Sequence, residues 1–520
     1  MPANKPPLRK HTLDKDLGKL TRIEEATVTL SRGLVAPGVA LAFLALSAVF
    51  AGLYAGSGAG ALTVIAAAAI GAYMALNIGA NDVANNVGPA VGSRAMTMGG
   101  ALVLAAVCES AGALIAGGDV VSTISKGIIA PASVANPDVF VAAMMAALIS
   151  SALWVNLATW IGAPVSTTHS VVGGVMGAGI AAAGIAAVNW PTMGAIAASW
   201  VISPILGGII AAAFLAFIKA FIIYQDDKIA AARRWVPVLI AIMAGAFAAY
   251  LAMKGLKHLV KLSGPAILFL GIGTAIVAWT VVSPMIRQQS EGMENRNQSL
   301  RKLFRLPLIF SAALLSFAHG ANDVANAVGP LAAVVHTAME GDVAAKVGIP
   351  LWVMVIGAIG ISVGLLLYGP KLIRMVGEQI TKLNPMRAYC VALSAAITVI
   401  IASWLGLPVS STHIAVGAVF GVGFFREWYT ANSKRRRAYL ERKQGKLKAE
   451  RKAAAGKLEK AWEAAERPWE DEPDTGQDEI QRRRLVRRAH VTTIAAAWVI
   501  TVPAAAALAA LIFTVLRLFA

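Results

Sequence analysis

The residues of this chain best suited to chemistry are acids and amides set among apolar neighbours. "GANDVANNVGP" begins at Gly79 and "GANDVANAVGP" at Gly320, each closing a strongly apolar run. An ionised Asp82 or Asp323 near the centre of a bilayer costs about 3 kcal/mol even on a mild insertion scale, unless it faces a cavity or meets a partner. Neither motif holds a Lys or Arg, so a proton or a cation from solution is the natural partner. Na⁺ takes oxygen ligands, which the amides of Asn81 and Asn322 supply. If the stretch after Gly79 is helical, Asn81 and Asn85 share a face, as do Asp82 and Asn86. Asn322 and Asn326 correspond in the second copy, but Ala327 stands in place of Asn86, so the two sites are not identical. The bland alternative, a hydrogen-bonded helix break holding no ion, has to account for two buried acids.

A second duplicated motif has the opposite chemistry. "PVSTTH" starts at Pro164 and "PVSSTH" at Pro408. Proline disfavours helix in the residue before it and lacks an N–H, so each marks a break. Ser166, Thr167 and Thr168, or Ser410, Ser411 and Thr412, then open a renewed apolar helix. Hydroxyls cap such a start, and its free N–H groups and positive dipole end attract an anion rich in acceptor oxygens. One hydroxyl per motif suffices for capping; three point to substrate. His169 and His413, which follow, read as donors that orient their neighbours. Arg94 and Arg387 lie nearer helix ends, where snorkelling to the interface is the default. Glu109, in "VCESAGAL", is a further acid in an apolar run with no counterpart in "VIGAIGISVG"; it suits a second cation or proton site, or a bond between helices. Trp200 and Trp498 read as packing or interfacial residues. Cys108 and Cys390 are the only cysteines and offer neither metal-ligand spacing nor a disulfide framework.

The elements that carry these residues must cross a membrane. Of the 520 residues 57% are hydrophobic and 14% charged, with a mean hydropathy of +0.67, and apolar stretches long enough to span a bilayer recur along the chain. They include 59–79, 95–117, 138–161, 193–222, 304–319, 347–369, 387–405 and 490–518. The net charge of +18 resides mainly between these runs, which points to helix orientation rather than nucleic acid. The run 33–55 follows a basic leader too long for a signal peptide and reads as a retained helix. Placing the basic segments 1–32, around Arg233 and Arg234, 287–305, 371–387 and 426–488 in the cytoplasm is consistent if 171–188 and 414–425 also cross or re-enter. The helix entering the first GANDVAN motif then runs inwards and that entering the second runs outwards. The spacing is duplicated too: 85 residues separate Asn81 from Ser166 and 88 separate Asn322 from Ser410.

The expected fold is therefore an all-α polytopic membrane protein of two inverted-topology repeats with broken or re-entrant helices, about 12–13 membrane segments in all. Its parts are a cytoplasmic tail (1–32), an extra helix (33–58), the first repeat (59–224), connecting helices and linker (225–303), the second repeat (304–425), a charged cytoplasmic insertion (426–488) and the last helix of the second repeat (489–520).

"GANDVANN", "HGANDVANA", "PVSTTH" and "PVSSTH" at corresponding places in both halves resemble the inorganic phosphate transporter (PiT) family, over roughly 59–224 and 304–518. The resemblance implies cation-coupled uptake of inorganic phosphate by alternating access, in a plasma (inner) membrane and with no cofactor beyond Na⁺ or H⁺. It implies that Asn85, Asn326 and the two hydroxyl runs hold phosphate, that Asn81, Asp82, Asn322 and Asp323 form cation sites, with Na⁺ at Asp82 and Asp323, and that Glu109 is an additional essential acid. Na⁺ or H⁺ coupling, and phosphate, sulfate or a metal–phosphate complex as cargo, stay open. The glycine-rich helices suit a homodimer and suit packing within one subunit equally well. Competing classes are an intramembrane enzyme built on an Asp82–Asp323 pair and a passive channel. No HExxH or GxxxxGK[ST] motif is present, which disfavours a zinc hydrolase and an ATP-driven pump.

Overall fold

The computed structural model describes residues 34–58, 60–130, 133–134, 136–163, 165–254, 262–343, 348–375, 383–439, 441–442, 445 and 488–519. The tail 1–32, Pro164 and most of the insertion 426–488 lie outside the described residues. Within them the molecule is helical: α1 Leu34–Ala55, α2 Ala61–Asn81, α3 Ala84–Gly92, α4 Met98–Ala116, α5 Gly118–Lys126, α6 Pro137–Ile161, α7 Thr167–Ala183, α8 Trp190–Ile218, α9 Lys228–Lys254, α10 Gly264–Gln289, α11 Asn297–Leu303, α12 Arg305–Glu340, α13 Leu351–Met375, α14 Pro385–Trp404, α15 Ser411–Asn432 and α16 Arg488–Phe519. Eleven helices among the described residues are long and apolar enough to span a membrane; α7 and α15, the helices with hydroxyl starts, are not among them.

Local sequence fixes where these helices begin. Asn136 and Asn384 accept hydrogen bonds at the heads of α6 and α14, each followed by proline in the first turn, where a missing N–H costs nothing. Packing then depends on small residues. A β-carbon at Gly79 would lie 1.8 Å from the carbonyl oxygen of Ile361, and one at Gly320 would lie 2.1 Å from that of Glu109. Both motifs thus bring their backbone into direct contact with α13 and α4, as small residues permit where apolar lipid supplies little drive for association.

The helices bearing the two motifs run antiparallel. Gly60, ahead of α2, abuts Ala338 near the end of α12, and Gly71 abuts Leu331. They differ in continuity. The first motif interrupts the chain at Asp82 and Val83, with Asn85 N bonding Asp82 O and Asn86 N bonding Val83 O, whereas α12 carries the second motif through 36 unbroken residues. The side chains of Asp82 and Asn86 go to different partners, Asp82 to Thr167 and Thr412 and Asn86 to Glu109. Elsewhere contacts recur in pairs. Gly177 of α7 packs on Ala506 of α16, and Gly421 of α15 packs on Gly208 of α8. Ser110 and Ser362, on α4 and α13, meet each other at 2.7 Å.

Candidate functional site

α2 and α12 deliver both acids to the interior, where Asp82 is 2% and Asp323 0% exposed. The hydroxyl starts of α7 and α15 arrive from two sides. Ser166 Oγ accepts from His169 N at 3.1 Å and Ser410 Oγ from His413 N at 3.2 Å, so these two serines are ordinary N-caps. Capping frees the next hydroxyls for other partners. Thr167 Oγ1 donates to Asp82 Oδ2 at 2.6 Å and lies 3.5 Å from Asp323 Oδ2. Thr412 Oγ1 reaches Asp82 Oδ1 at 3.1 Å. Asn85 Nδ2 donates to Thr412 Oγ1 at 2.8 Å, and Asn326 Nδ2 to Thr168 Oγ1 at 3.1 Å and Thr167 Oγ1 at 3.2 Å. Each motif amide therefore holds the hydroxyl start that follows the other motif in sequence. Ser411 Oγ is buried with no partner.

Asn81 and Asn322 do a different job from their neighbours. Asn81 Nδ2 donates to Thr159 Oγ1 and Ala163 O, and Asn322 Nδ2 to Ser403 Oγ and Leu407 O. They anchor the segments that lead into the hydroxyl runs. Thr159 and Ser403 were not singled out from sequence, although each precedes its capping serine by seven residues. His169 and His413 bring the two helix starts together, ring centres 4.4 Å apart, with Trp200 edge-on to His169 at 3.8 Å. Trp200 Nε1 also donates to Pro408 O, so this tryptophan braces the second break instead of sitting at an interface.

The residue that sequence reasoning missed is His319. Its Nδ1 lies 2.6 Å from Glu109 Oε2, and its Nε2 lies 3.2 Å from Asp323 Oδ2, though off the line of a good hydrogen bond. Asn86 Nδ2 donates to the other oxygen of Glu109 at 2.8 Å. Glu109 thus joins the site through His319, and Asn86 is explained as its second partner. The signal was present: His319 stands one turn before Asp323 on α12, where the first copy has Ile78. Asp82, His319 and Asp323 each offer a ligand atom, all within 4.8 Å of one another.

The donor balance favours a cation. Asn81 Oδ1, Asn86 Oδ1, Asp323 Oδ1 and Asn326 Oδ1 are buried acceptors with no hydrogen-bond partner. Orphaned oxygens of this kind are costly unless something positive meets them. Two cavities open at opposite ends of α13. One of about 690 Å³ is lined by Tyr73, Asn77, Asn156, Thr159 and Lys371, and so reaches the threonine that holds Asn81. The other, about 540 Å³, is lined by Asp119, Ser122, Lys254 and Leu351. Near it Lys254 pairs with Asp119, and Thr123 Oγ1 ties to Gly406 O at 2.8 Å.

Comparison with known proteins places this geometry in context. Residues 78–509 match the model of a family described as "Phosphate transporter family". A Helicobacter pylori protein named "Putative phosphate permease" is 46% identical over 96% of this chain and 98% of its own length. A Pyrococcus abyssi permease is 39% identical over 69% of this chain and 87% of its own. A solved structure titled "The sodium-dependent phosphate transporter" is 34% identical, superposes with a TM-score of 0.73, and covers 88% of this chain and 100% of that one.

Proposed function

Because the chain belongs to the phosphate transporter family, we propose that it carries inorganic phosphate together with Na⁺ by alternating access between two inverted repeats. It is an integral membrane transporter and not an enzyme. Na⁺ is the expected partner because the neighbouring solved structure is of a sodium-dependent transporter and because one oxygen of Asp323 and the amide oxygens of Asn81, Asn86 and Asn326, in the same two motifs, lack hydrogen-bond partners. In this reading Asp82 and Asp323, with Asn81 and Asn322, hold cations. Thr167, Thr168, Ser411, Thr412, Asn85 and Asn326 hold phosphate against the first turns of α7 and α15. Ser166 and Ser410 contribute by shaping those turns, and Glu109 acts through His319. The basic helix ends are cytoplasmic, in a plasma (inner) membrane.

The observation that carries this reading is the junction at Asp82, whose carboxylate accepts from Thr167 and lies within reach of Thr412. A cation drawn to Asp82 and Asp323 competes for the carboxylate and releases the hydroxyls to donate to an oxyanion. Cation and anion binding are then coupled through the same side chains, which separates a symporter from a channel. The cavity lined by Thr159, which holds Asn81, supports an approach to this junction from one end. Release of the anion is served by neutral donors, which grip a dianion less tightly than arginine does.

The test is labelled phosphate uptake into proteoliposomes of the pure protein, with Na⁺ and proton gradients imposed separately and sulfate as competitor. Uptake should follow the Na⁺ gradient and resist sulfate. Flux indifferent to both gradients would replace the symporter with a channel. A proton-coupled version has one observation in its favour, the placement of His319 between Glu109 and Asp323; it predicts uptake that follows the proton gradient alone.

A further inference from the structure

Each hydroxyl start is entered through the same kind of turn. "WIGAPVS" leads from the last turn of α6 into α7, and "WLGLPVS" from the end of α14 into α15. Gly162 and Gly406 take φ of 78° and 69°, a left-handed bend that a side chain disfavours. The carbonyls of these turns, left over at a helix C-terminus, need donors. Asn81 Nδ2 donates to Ala163 O and Asn322 Nδ2 to Leu407 O, both from the motifs. The tryptophan carbonyls go to lysines: Lys371 Nζ donates to Trp160 O and Lys254 Nζ to Trp404 O, each at 3.4 Å. These lysines are not copies of each other. Lys254 ends α9 in "YLAMK" and Lys371 stands near the end of α13 in "LYGPK", so two unlike segments supply one contact to two matching turns. The second turn is held further: Asp119 pairs with Lys254, whose side chain is 12% exposed, and Thr123 Oγ1 donates to Gly406 O at 2.8 Å.

We propose that Lys254 and Lys371 are positioning residues for the anion, each fixing the turn that aims one hydroxyl start; the inference rests on the reading of those starts as the phosphate site. A shift of either turn carries the hydroxyls with it, because Ser166 follows Trp160, and Ser410 follows Trp404, by six residues. The proline within each of these short segments leaves few ways to absorb the shift. Positive charge at the carbonyl ends of α6 and α14 is also favoured by the helix dipole. Ordinary capping of a helix end accounts for one such lysine. The same contact at both turns, supplied by unlike helices, calls for a shared purpose, and the anion site is what the two turns have in common. Lys371 and Lys254 line the cavities that open at opposite ends of α13, so the two turns are braced from opposite ends of the molecule.

The experiment is phosphate uptake into proteoliposomes of the full-length protein at saturating Na⁺, read as KM and maximal rate separately, with a thermal melt of each variant. Lys254→Met and Lys371→Met should each raise KM about fivefold, the worth of one ordinary hydrogen bond, with the maximal rate within about twofold of wild type. Loss of folded protein, by contrast, lowers the rate and leaves KM alone. Lys254→Arg and Lys371→Arg should keep the wild-type KM, and so should Lys302→Gln at an exposed position on α11. Thr123→Val removes an independent tether of the second turn and should raise KM in the same direction; it decides for that turn if Lys254→Met fails to fold. KM unchanged in folded Lys254→Met and Lys371→Met, or raised as much by arginine as by methionine, would overturn the proposal. So would a lower maximal rate at unchanged KM, which would make these contacts latches that open during transport. Wild type that carries no phosphate would sink the phosphate reading and this inference with it, whereas wild-type uptake with unaltered variants would sink this inference alone.

Discussion

At the scale of single residues, two hydroxyls on matching helix starts make opposite predictions. Thr167 donates to Asp82 and accepts from Asn326, so Thr167→Val leaves buried groups unsatisfied at a cost of about 1–3 kcal/mol. Ser411 Oγ has no partner, so Ser411→Ala should weaken apparent phosphate affinity without lowering the melting temperature, whereas Thr167→Val should do both. Concentration dependence of uptake together with a thermal melt checks the pair; unchanged affinity in both variants would remove the hydroxyls from the anion site. His319→Gln keeps a polar side chain but cannot bridge two carboxylates as the imidazole does, and Na⁺-driven uptake should fall at least about tenfold, roughly 1.4 kcal/mol. The acids, amides and hydroxyls were legible in the sequence because a polar group in an apolar run demands a reason. His319 was not, because it lies inside a motif already explained by its aspartate. The separate roles of Asn81 and Asn85 were hidden for a related reason: helical spacing gives a shared face but not the partner each side chain finds.

Among the elements, the close contacts at the motifs are the feature most open to test. With the carbonyl oxygen of Ile361 or Glu109 in the way, Gly79→Ala and Gly320→Ala should each destabilise the detergent-solubilised protein by about 1–3 kcal/mol. Gly273→Ala on α10, where a β-carbon meets open space, should leave the melting temperature unchanged. Equal melting of all three would mean that the α2–α13 and α4–α12 contacts are looser than described. Helix existence was plain from apolar run length, since each of the nine runs read from the sequence falls on a helix long and apolar enough to span a membrane. The difference between an interrupted first motif and a continuous second one was not. The copies share wording from Gly79 to Asn85 and from Gly320 to Asn326, so local propensity treats them alike. They differ next at Asn86, which is held by Glu109, and at Ala327, which has no side-chain amide to bond.

For the whole molecule, antiparallel motif helices and paired contacts are what two inverted halves require. Duplicated wording announced the two halves, yet which helix packs on which stayed hidden. "AASWVISP" around Trp200 and "AAAWVITVP" around Trp498 match α8 with α16 in sequence, and only packing puts α16 on α7 and α8 on α15. Sidedness can be checked with single cysteines in a Cys108→Ala, Cys390→Ala background. Arg442 and Asp342, 59% and 66% exposed at side-chain level, should label from the cytoplasmic and the outer face respectively; labelling of both from one face would contradict the assigned orientation. The most direct measurement is the affinity of the purified protein for phosphate, titrated with and without Na⁺, in wild type and in Asp82→Asn and Asp323→Asn. Na⁺ should tighten phosphate binding in wild type, and that dependence should vanish in both variants. Phosphate binding that ignores Na⁺ in wild type, or that keeps its full Na⁺ dependence when either acid is neutralised, would contradict a cation site joined to the anion site at Asp82 and Asp323.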